Sequence, residues 1–538
     1  MTERKNHNFV TGAAVLTATV AVTKVLGLLY KVPLFNILGD EGTAHFSVTY
    51  AIYNLLLSIS TAGIPVAISR LISSSAALGR DRQVRRIFRS ALIPFSAIGA
   101  LCALIMVAFP QLLADFMGDG EITLAIRVLG PAVLLCCIIA VFRGYFQGLG
   151  DMVPTAISQV TEVLGKLLIG LPAAWLLFRR GFGTPVVTAG AISGVTAGLL
   201  IVVPILLRYK RRADVSVQPK SDPTLPDSVG KTVRTILAVS VPITIGASLM
   251  NIINLIDTKL ILLRLQAGAG FSYETAKVLY GVFGKAQTLF NLPAAFIVPI
   301  TVSAVPAIAA AVAERNGRES KLVMESALKL GNLIAMPAGI GLTVLAFPIF
   351  NVLYWGSDPN GPVLLAIMGV ASYLVCTQLT TTAVLQANGF EKFTVLTLPV
   401  GGAVKILITW FAVGSPSVNI LGGPVGTLAC YGVISLLNIG YILLKVPNRP
   451  SFKKAFLAPF FCAAVMGVGA WASYSVISKL LSGALGMGHM AMALYMCAAV
   501  LTAVVIYGVL IIATGAVSRE DMRFVKGGER IARALHLK

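Results

Sequence analysis

An all-α integral membrane fold of about fourteen transmembrane helices is predicted by three features of this sequence. Of its 538 residues, 57% are hydrophobic and only 12% charged, with a mean hydropathy of +0.85, whereas soluble domains carry about 25% charged residues. Apolar stretches of the length that crosses a bilayer, about 20 residues, follow one another with short polar breaks. Lysine and arginine gather in alternate breaks, as they do where loops face the cytoplasm. Barrel strands would alternate in polarity instead.

Spans are expected near residues 9–30, 46–74, 88–113, 122–147, 155–178, 185–208, 235–264, 276–312, 322–347, 361–387, 393–413, 422–444, 455–478 and 490–515. The run from Phe9 is too long for a signal-peptide core and lacks a small-residue cleavage site, so it is expected to be retained as the first span. Walking the breaks alternately, one side collects Arg4 and Lys5, then Arg80, Arg82, Arg85, Arg86 and Arg89, then Lys210, Arg211 and Arg212, then Arg315, Arg318 and Lys321, then Lys445, Arg449, Lys453 and Lys454, and finally the tail from Arg519. The opposite breaks 115–121, 266–274, 354–362 and 414–424 contain neither lysine nor arginine, Arg179 and Arg180 being the main exception. The basic side is expected to be cytoplasmic, and an even span count puts both termini there. The formal charge of +21 is thus a topology signal, and nucleic acid is not an expected partner.

The longest break, 209–234, mixes basic residues with Pro219, Pro223 and Pro226, as a connector between two halves would. The halves resemble each other. Gln147-x2-Gly150 leads after fifteen residues to Lys166-Leu-Leu-Ile169, and Gln386-x2-Gly389 leads after the same interval to Lys405-Ile-Leu-Ile408. Arg89-Ser-Ala-Leu92 and Glu325-Ser-Ala-Leu328 add a second match. The offset of six spans is even, so the halves share one orientation, like two-lobed transporters. The expected layout is an N-lobe at 1–208, a cytoplasmic linker at 209–234, a C-lobe at 235–444, a terminal helix pair at 445–515 and a basic tail at 516–538.

Several chemistries are unsupported. Seven cysteines all lie in apolar segments, with no CxxC pair and no histidine at ligand spacing, so they read as small buried hydrophobes and no metal is expected. Gly230-Lys231-Thr232 resembles the end of a phosphate-binding loop, but its first glycine would have to be at Leu225 and no strand precedes it. External loops of about ten residues leave little room for acid/base machinery. Neither a cofactor nor catalysis is expected.

Ionisable residues inside spans cost about 2.5–3.5 kcal/mol each at the bilayer centre, so they usually face a wet cavity or a partner. Here they are mostly basic: Lys24 in span 1, Arg70 in span 2, Lys259 and Arg264 in span 7, Lys277 and Lys285 in span 8. Cations sharing one cavity would attract an anion such as a pyrophosphate, strongly so in a low dielectric. The plainer alternatives are specific. Arg70, Lys277, Arg127 and Arg264 are placed to snorkel to an interface. Asp257 is placed to neutralise Lys259 or Lys285, and Glu162 and Lys166, at i,i+4 on span 5, to satisfy each other. Lys405 holds the matching place in the second half without a carboxylate. Glycines 190, 194 and 198 suit close helix packing, and prolines 65, 131, 172, 242, 293, 299, 306 and 337 are expected to bend spans.

Thr23-Lys-Val-Leu-Gly27, Gly63-Ile-Pro-Val-Ala-Ile-Ser-Arg70, Arg143-Gly-Tyr-Phe-Gln-Gly-Leu-Gly-Asp151-Met-Val-Pro154 and Asn254-Leu-Ile-Asp257 resemble the stage V sporulation protein B and polysaccharide transporter group. That group lies in the multidrug/oligosaccharidyl-lipid/polysaccharide flippase superfamily, beside the lipid II flippases. The resemblance covers nearly the whole chain. It implies two six-helix lobes (MATE-like) around a cationic cavity, alternating access, and a terminal helix pair that helps hold a lipid tail. It also implies that Lys24 and Lys285 fall where the family carries cavity cations. The expected substrate is a lipid-linked oligosaccharide or lipid II, in a bacterial plasma membrane, with the cell-wall synthesis machinery as a possible partner. Two other functions fit less of the sequence: a multidrug or cation exporter, which would prefer cavity carboxylates such as Asp257, and a non-transporting scaffold in cell-wall or spore-envelope assembly.

Overall fold

A computed structural model describes the backbone of residues 2–216, 225–486 and 488–517, and the side chains of 18–213, 225–482, 486 and 488–517. The side chains of Arg4 and Lys5, the middle of the expected linker and the basic tail lie outside the described residues.

The described residues form helices joined by short turns. In the first half these are α1 (Thr2–Thr61), α2 (Ile64–Ala77), α3 (Asp81–Ala108), α4 (Pro110–Met117), α5 (Thr123–Gly148), α6 (Val153–Gly165), α7 (Leu171–Arg179) and α8 (Thr184–Ser216). Then follow α9 (Val229–Ala267), α10 (Tyr273–Phe290), α11 (Leu292–Ala313), α12 (Gly317–Val344), α13 (Ala346–Leu353), α14 (Gly361–Ala387), α15 (Glu391–Val413), α16 (Gly422–Lys445), α17 (Phe452–Leu485) and α18 (His489–Ala513).

Thirteen helical stretches among the described residues are long and apolar enough to cross a membrane, and the first, Ala18–Ala77, runs for 60 residues. That stretch is interrupted at Gly39, whose φ of 66° and ψ of −167° are not helical. A rise of about 1.5 Å per residue makes it roughly 90 Å of helix, about three times the hydrocarbon thickness. It therefore holds both of the first two expected spans, and the remaining stretches match spans 3 to 14 in order.

The chain divides into two compact units, residues 1–263 and 264–538. Within the first, α5 packs against α2, α3 and α8, and α6 and α7 pack along α8. The α6–α8 contact depends on glycine: a Cβ on Gly165, Gly170 or Gly194 would collide with backbone across the interface. Between α6 and α7 the segment Lys166–Gly170 winds as a π-helix, a rare geometry that often marks functional sites. Within the second unit, α14 packs against α11, α12 and α16, α15 against α16, and α17 against both α12 and α18.

The two units repeat a local plan. Helices α3, α4 and α5 have 28, 8 and 26 residues, and α12, α13 and α14 have 28, 8 and 27. Both series end on a glycine in the left-handed region, Gly150 at φ 80° and Gly389 at φ 83°. The caps also share their bonds: Asp151 N–H donates to Phe146 carbonyl at 3.0 Å and Phe390 N–H to Leu385 carbonyl at 3.0 Å, the 6→1 bond of a Schellman turn. The sequence repeat at Gln147 and Gln386 is thus a repeated helix cap.

The prolines divide into two kinds. Pro131, Pro242, Pro299, Pro306 and Pro337 stand inside helices. Pro65 and Pro293 sit in the first turn of α2 and α11, where a missing N–H costs nothing, and Pro172 stands just after the π-helical segment inside the continuous helical stretch Val153–Arg179.

Candidate functional site

A set of membrane-embedded charges lies together in the first unit. Lys24 and Lys31 are seven residues apart on α1, two helical turns, and so share a face. Lys31 feels the positive charges of Lys166 and of Lys24, which places all three in one electrostatic neighbourhood. Lys166, at the head of the π-helical segment, extends its Nζ to Glu162 Oε1 at 3.1 Å. Arg143 on α5 reaches the other oxygen of Glu162 at 3.3 Å through its NH2 and donates from Nε to Ser158 Oγ at 2.8 Å. Glu162, Lys166 and Arg143 are each about one-fifth exposed, at 21%, 20% and 20%. The i,i+4 pair expected at Glu162 is therefore present, but it shares its carboxylate with a second cation.

The charge arithmetic matters. Lys24, Lys31, Lys166 and Arg143 bring four positive charges and Glu162 one negative, leaving three in excess within this set. Cations withdrawn from water repel one another more strongly than on a surface. Such a set gains most from an anion carrying more than one charge. Three tyrosines border it: Tyr30, which donates to Ala191 carbonyl at 3.2 Å, Tyr50, which feels Glu162, and Tyr53, 3.4 Å from Cys136 Sγ.

The other candidates have different surroundings. Lys24 is exposed, as is Arg70 on α2. Lys259 is half-buried with its ammonium 3.8 Å from the centroid of Phe116, and its two-residue spacing turns it away from the buried Asp257. Arg264 donates from Nε to Trp410 carbonyl at 2.9 Å and stacks over that ring at 4.5 Å. In the second unit, Lys277 is 1% exposed and pairs with Glu274 at 3.1 Å over the Tyr273 ring. Lys285 is 2% exposed, donates to Ser357 Oγ at 3.4 Å and faces the Tyr354 ring at 5.5 Å. Lys405 is buried on α15.

Sequence reasoning missed Lys31 and Arg143. Lys31 lies one residue past the expected end of span 1, though its seven-residue spacing from Lys24 was available as a signal. Arg143 sits inside a quoted motif, but only folding brings it to Glu162.

Comparison with known proteins fits this architecture. Residues 9–312 match the family described as polysaccharide biosynthesis protein. Three Bacillus subtilis (strain 168) proteins align over most of the chain. "Uncharacterized membrane protein YabM" is 28% identical over 98% of this chain and 97% of its own length. "Lipid II flippase MurJ" is 24% identical over 92% and 94%, and "Stage V sporulation protein B" is 24% identical over 84% and 87%. Among solved structures, lipid II flippase MurJ in an inward closed conformation superposes with a TM-score of 0.65 at 14% identity, over 92% of this chain and 99% of that one. An inward-facing multidrug resistance MATE family transporter gives 0.64 at 17% identity, over 79% and 96%. At these identities the structures establish the shared fold. The chain belongs to the polysaccharide biosynthesis protein family and shares the multi-pass fold of lipid II flippase MurJ and the MATE family transporter.

Proposed function

We propose that this chain is a flippase that moves an undecaprenyl-pyrophosphate-linked cell-wall or polysaccharide precursor, of the lipid II kind, from the inner to the outer leaflet by alternating access. The observation that carries the reading is the excess of positive charge in the first unit, where Lys166 and Arg143 share the one carboxylate of Glu162 and Lys31 and Lys24 lie in the same electrostatic neighbourhood. A pyrophosphate offers at least two negative charges and several acceptor oxygens, which ammonium and guanidinium groups bind by charge-assisted hydrogen bonds. The head group passes along these side chains while the prenyl tail stays in lipid. Lys285, Lys259, Arg70 and Lys405 are further candidates on the path, with Asp257 as a charge partner.

The energetics need no nucleotide hydrolysis. An interior-negative potential favours outward movement of an anion by about 2.3 kcal/mol per charge per 100 mV. In this reading the protein is not an enzyme, lies in a bacterial plasma membrane with both termini cytoplasmic, takes residues 1–208 and 235–444 as its lobes, and works beside the cell-wall synthesis machinery. The names of its relatives, lipid II flippase and stage V sporulation protein B, support the substrate class.

A second reading, export of cationic compounds, is favoured by the buried Asp257 and by the fold shared with a MATE transporter. Reconstitution into liposomes with labelled lipid II, an undecaprenyl-linked oligosaccharide and a cationic dye, compared side by side, separates the two. Movement of a lipid-linked anion without dye transport is the expected result. Dye transport alone refutes the flippase reading.

A further inference from the structure

A second charged cluster lies in the first unit, at the end of α3 opposite its arginine-rich start. Gly39 breaks α1, and on the helix that resumes beyond it Glu41 and His45 stand at i,i+4, one turn apart on one face. The turn after α4 brings Asp119 and Glu121 to the same place. His45 is fully buried, with its Nε2 3.1 Å from Glu121 Oε2 and 3.6 Å from Asp119 Oδ2. Yet neither ring nitrogen of His45 makes a hydrogen bond. The short approaches are therefore not N–H···O bonds, and His45 presents Nε2 to two carboxylates without donating to either. One donor atom each from Glu41, His45 and Glu121 lie within 4.8 Å of one another.

We infer that Glu41, His45 and Glu121, with Asp119 beside them, form a binding site for a divalent transition-metal ion. Zinc binds imidazole nitrogen and carboxylate oxygen at about 2.0–2.2 Å, which sets the ligand atoms of a tetrahedral site roughly 3.3–3.6 Å apart. The approaches of His45 Nε2 to Glu121 at 3.1 Å and to Asp119 at 3.6 Å are close to that spacing. A buried imidazole among three carboxylates suits an ion that takes both nitrogen and oxygen donors better than magnesium or calcium, which prefer oxygen alone. Asp119 Oδ1 accepts the Glu121 N–H at 3.2 Å, which holds that carboxylate in place and turns its other oxygen to the ring. Glu121 has 45% of its side chain exposed, so an ion can enter from solvent. Once bound, it would tie the corner between the first two spans to the turn before α5. The sequence expectation that no histidine stands at ligand spacing overlooked the Glu41–His45 pair, and Glu121 joins it only in the folded chain.

The test uses the full chain purified in detergent, stripped with a chelator and titrated with ZnCl2 by calorimetry. Wild type is expected to bind one ion at this site, and Glu121→Gln and His45→Gln to weaken it at least about ten-fold. Asp115→Asn, an exposed carboxylate outside the cluster, is expected to leave it unchanged. If His45→Gln does not fold, Glu121→Gln decides alone, because its side chain is half in solvent. Absence of Zn2+ uptake by wild type, unchanged affinity in Glu121→Gln, or binding of Mg2+ in preference to Zn2+ would each overturn the inference. None of these readouts depends on what the protein transports.

Discussion

The two units hold their embedded cations differently. In the first, Lys166 and Arg143 share the single carboxylate of Glu162, and Lys31 lies within electrostatic range of Lys166 and Lys24. In the second, Lys277, Lys285 and Arg264 have local partners: Glu274 and the Tyr273 ring for Lys277, Ser357 and the Tyr354 ring for Lys285, the Trp410 ring and carbonyl for Arg264. A cation neutralised by a carboxylate, as Lys277 is by Glu274, mainly supports the fold, whereas a set with surplus charge has affinity left for a ligand. The repeat between the units therefore extends to helix lengths and caps but not to electrostatics.

Substitutions can break this contrast. The largest effect is expected from Lys31→Ala combined with Lys166→Ala. Two charge-assisted contacts of about 1.5–3 kcal/mol each predict at least a 100-fold loss of flipping in liposomes. Glu162→Gln removes the carboxylate shared by Arg143 and Lys166, and stability should fall by about 2–3 kcal/mol, somewhat less than for a fully buried pair. That loss is read from the denaturation midpoint, while anion transport should persist. Lys285→Gln should reduce transport about ten-fold, because one contact of about 1.4 kcal/mol is lost. Gly150→Ala and Gly389→Ala should each cost about 1 kcal/mol, because a Cβ in the left-handed region is strained, and equal losses would confirm the matched caps. Lys277→Met should change transport less than two-fold, since an apolar isostere leaves only the largely exposed Glu274.

Much of this was legible in the chain itself. Span positions follow from length and hydropathy, and the helix caps at Gly150 and Gly389 were visible as a repeated Gln-x2-Gly. The Glu162–Lys166 pair was readable because i,i+4 spacing is a local property. What escaped depended on distant segments or on a boundary. Lys31 lies just past the expected end of span 1, whereas α1 runs on past it to the Gly39 break. Arg143 reaches Glu162 only because α5 and α6 turn back on each other at Gly150. The π-helical winding at Lys166 has no local sequence signature, and Glu121 meets His45 through tertiary structure alone. Asp257 was expected to answer Lys259 or Lys285; of these, Lys259 meets the Phe116 ring.

The central claim, that surplus positive charge in the first unit binds a pyrophosphate head group, is tested most directly by equilibrium binding of undecaprenyl pyrophosphate to the detergent-purified protein. Wild type and Lys277→Met should bind alike, and Lys31→Ala with Lys166→Ala should bind at least 100-fold more weakly. Equal affinity in that double variant and wild type would contradict the account.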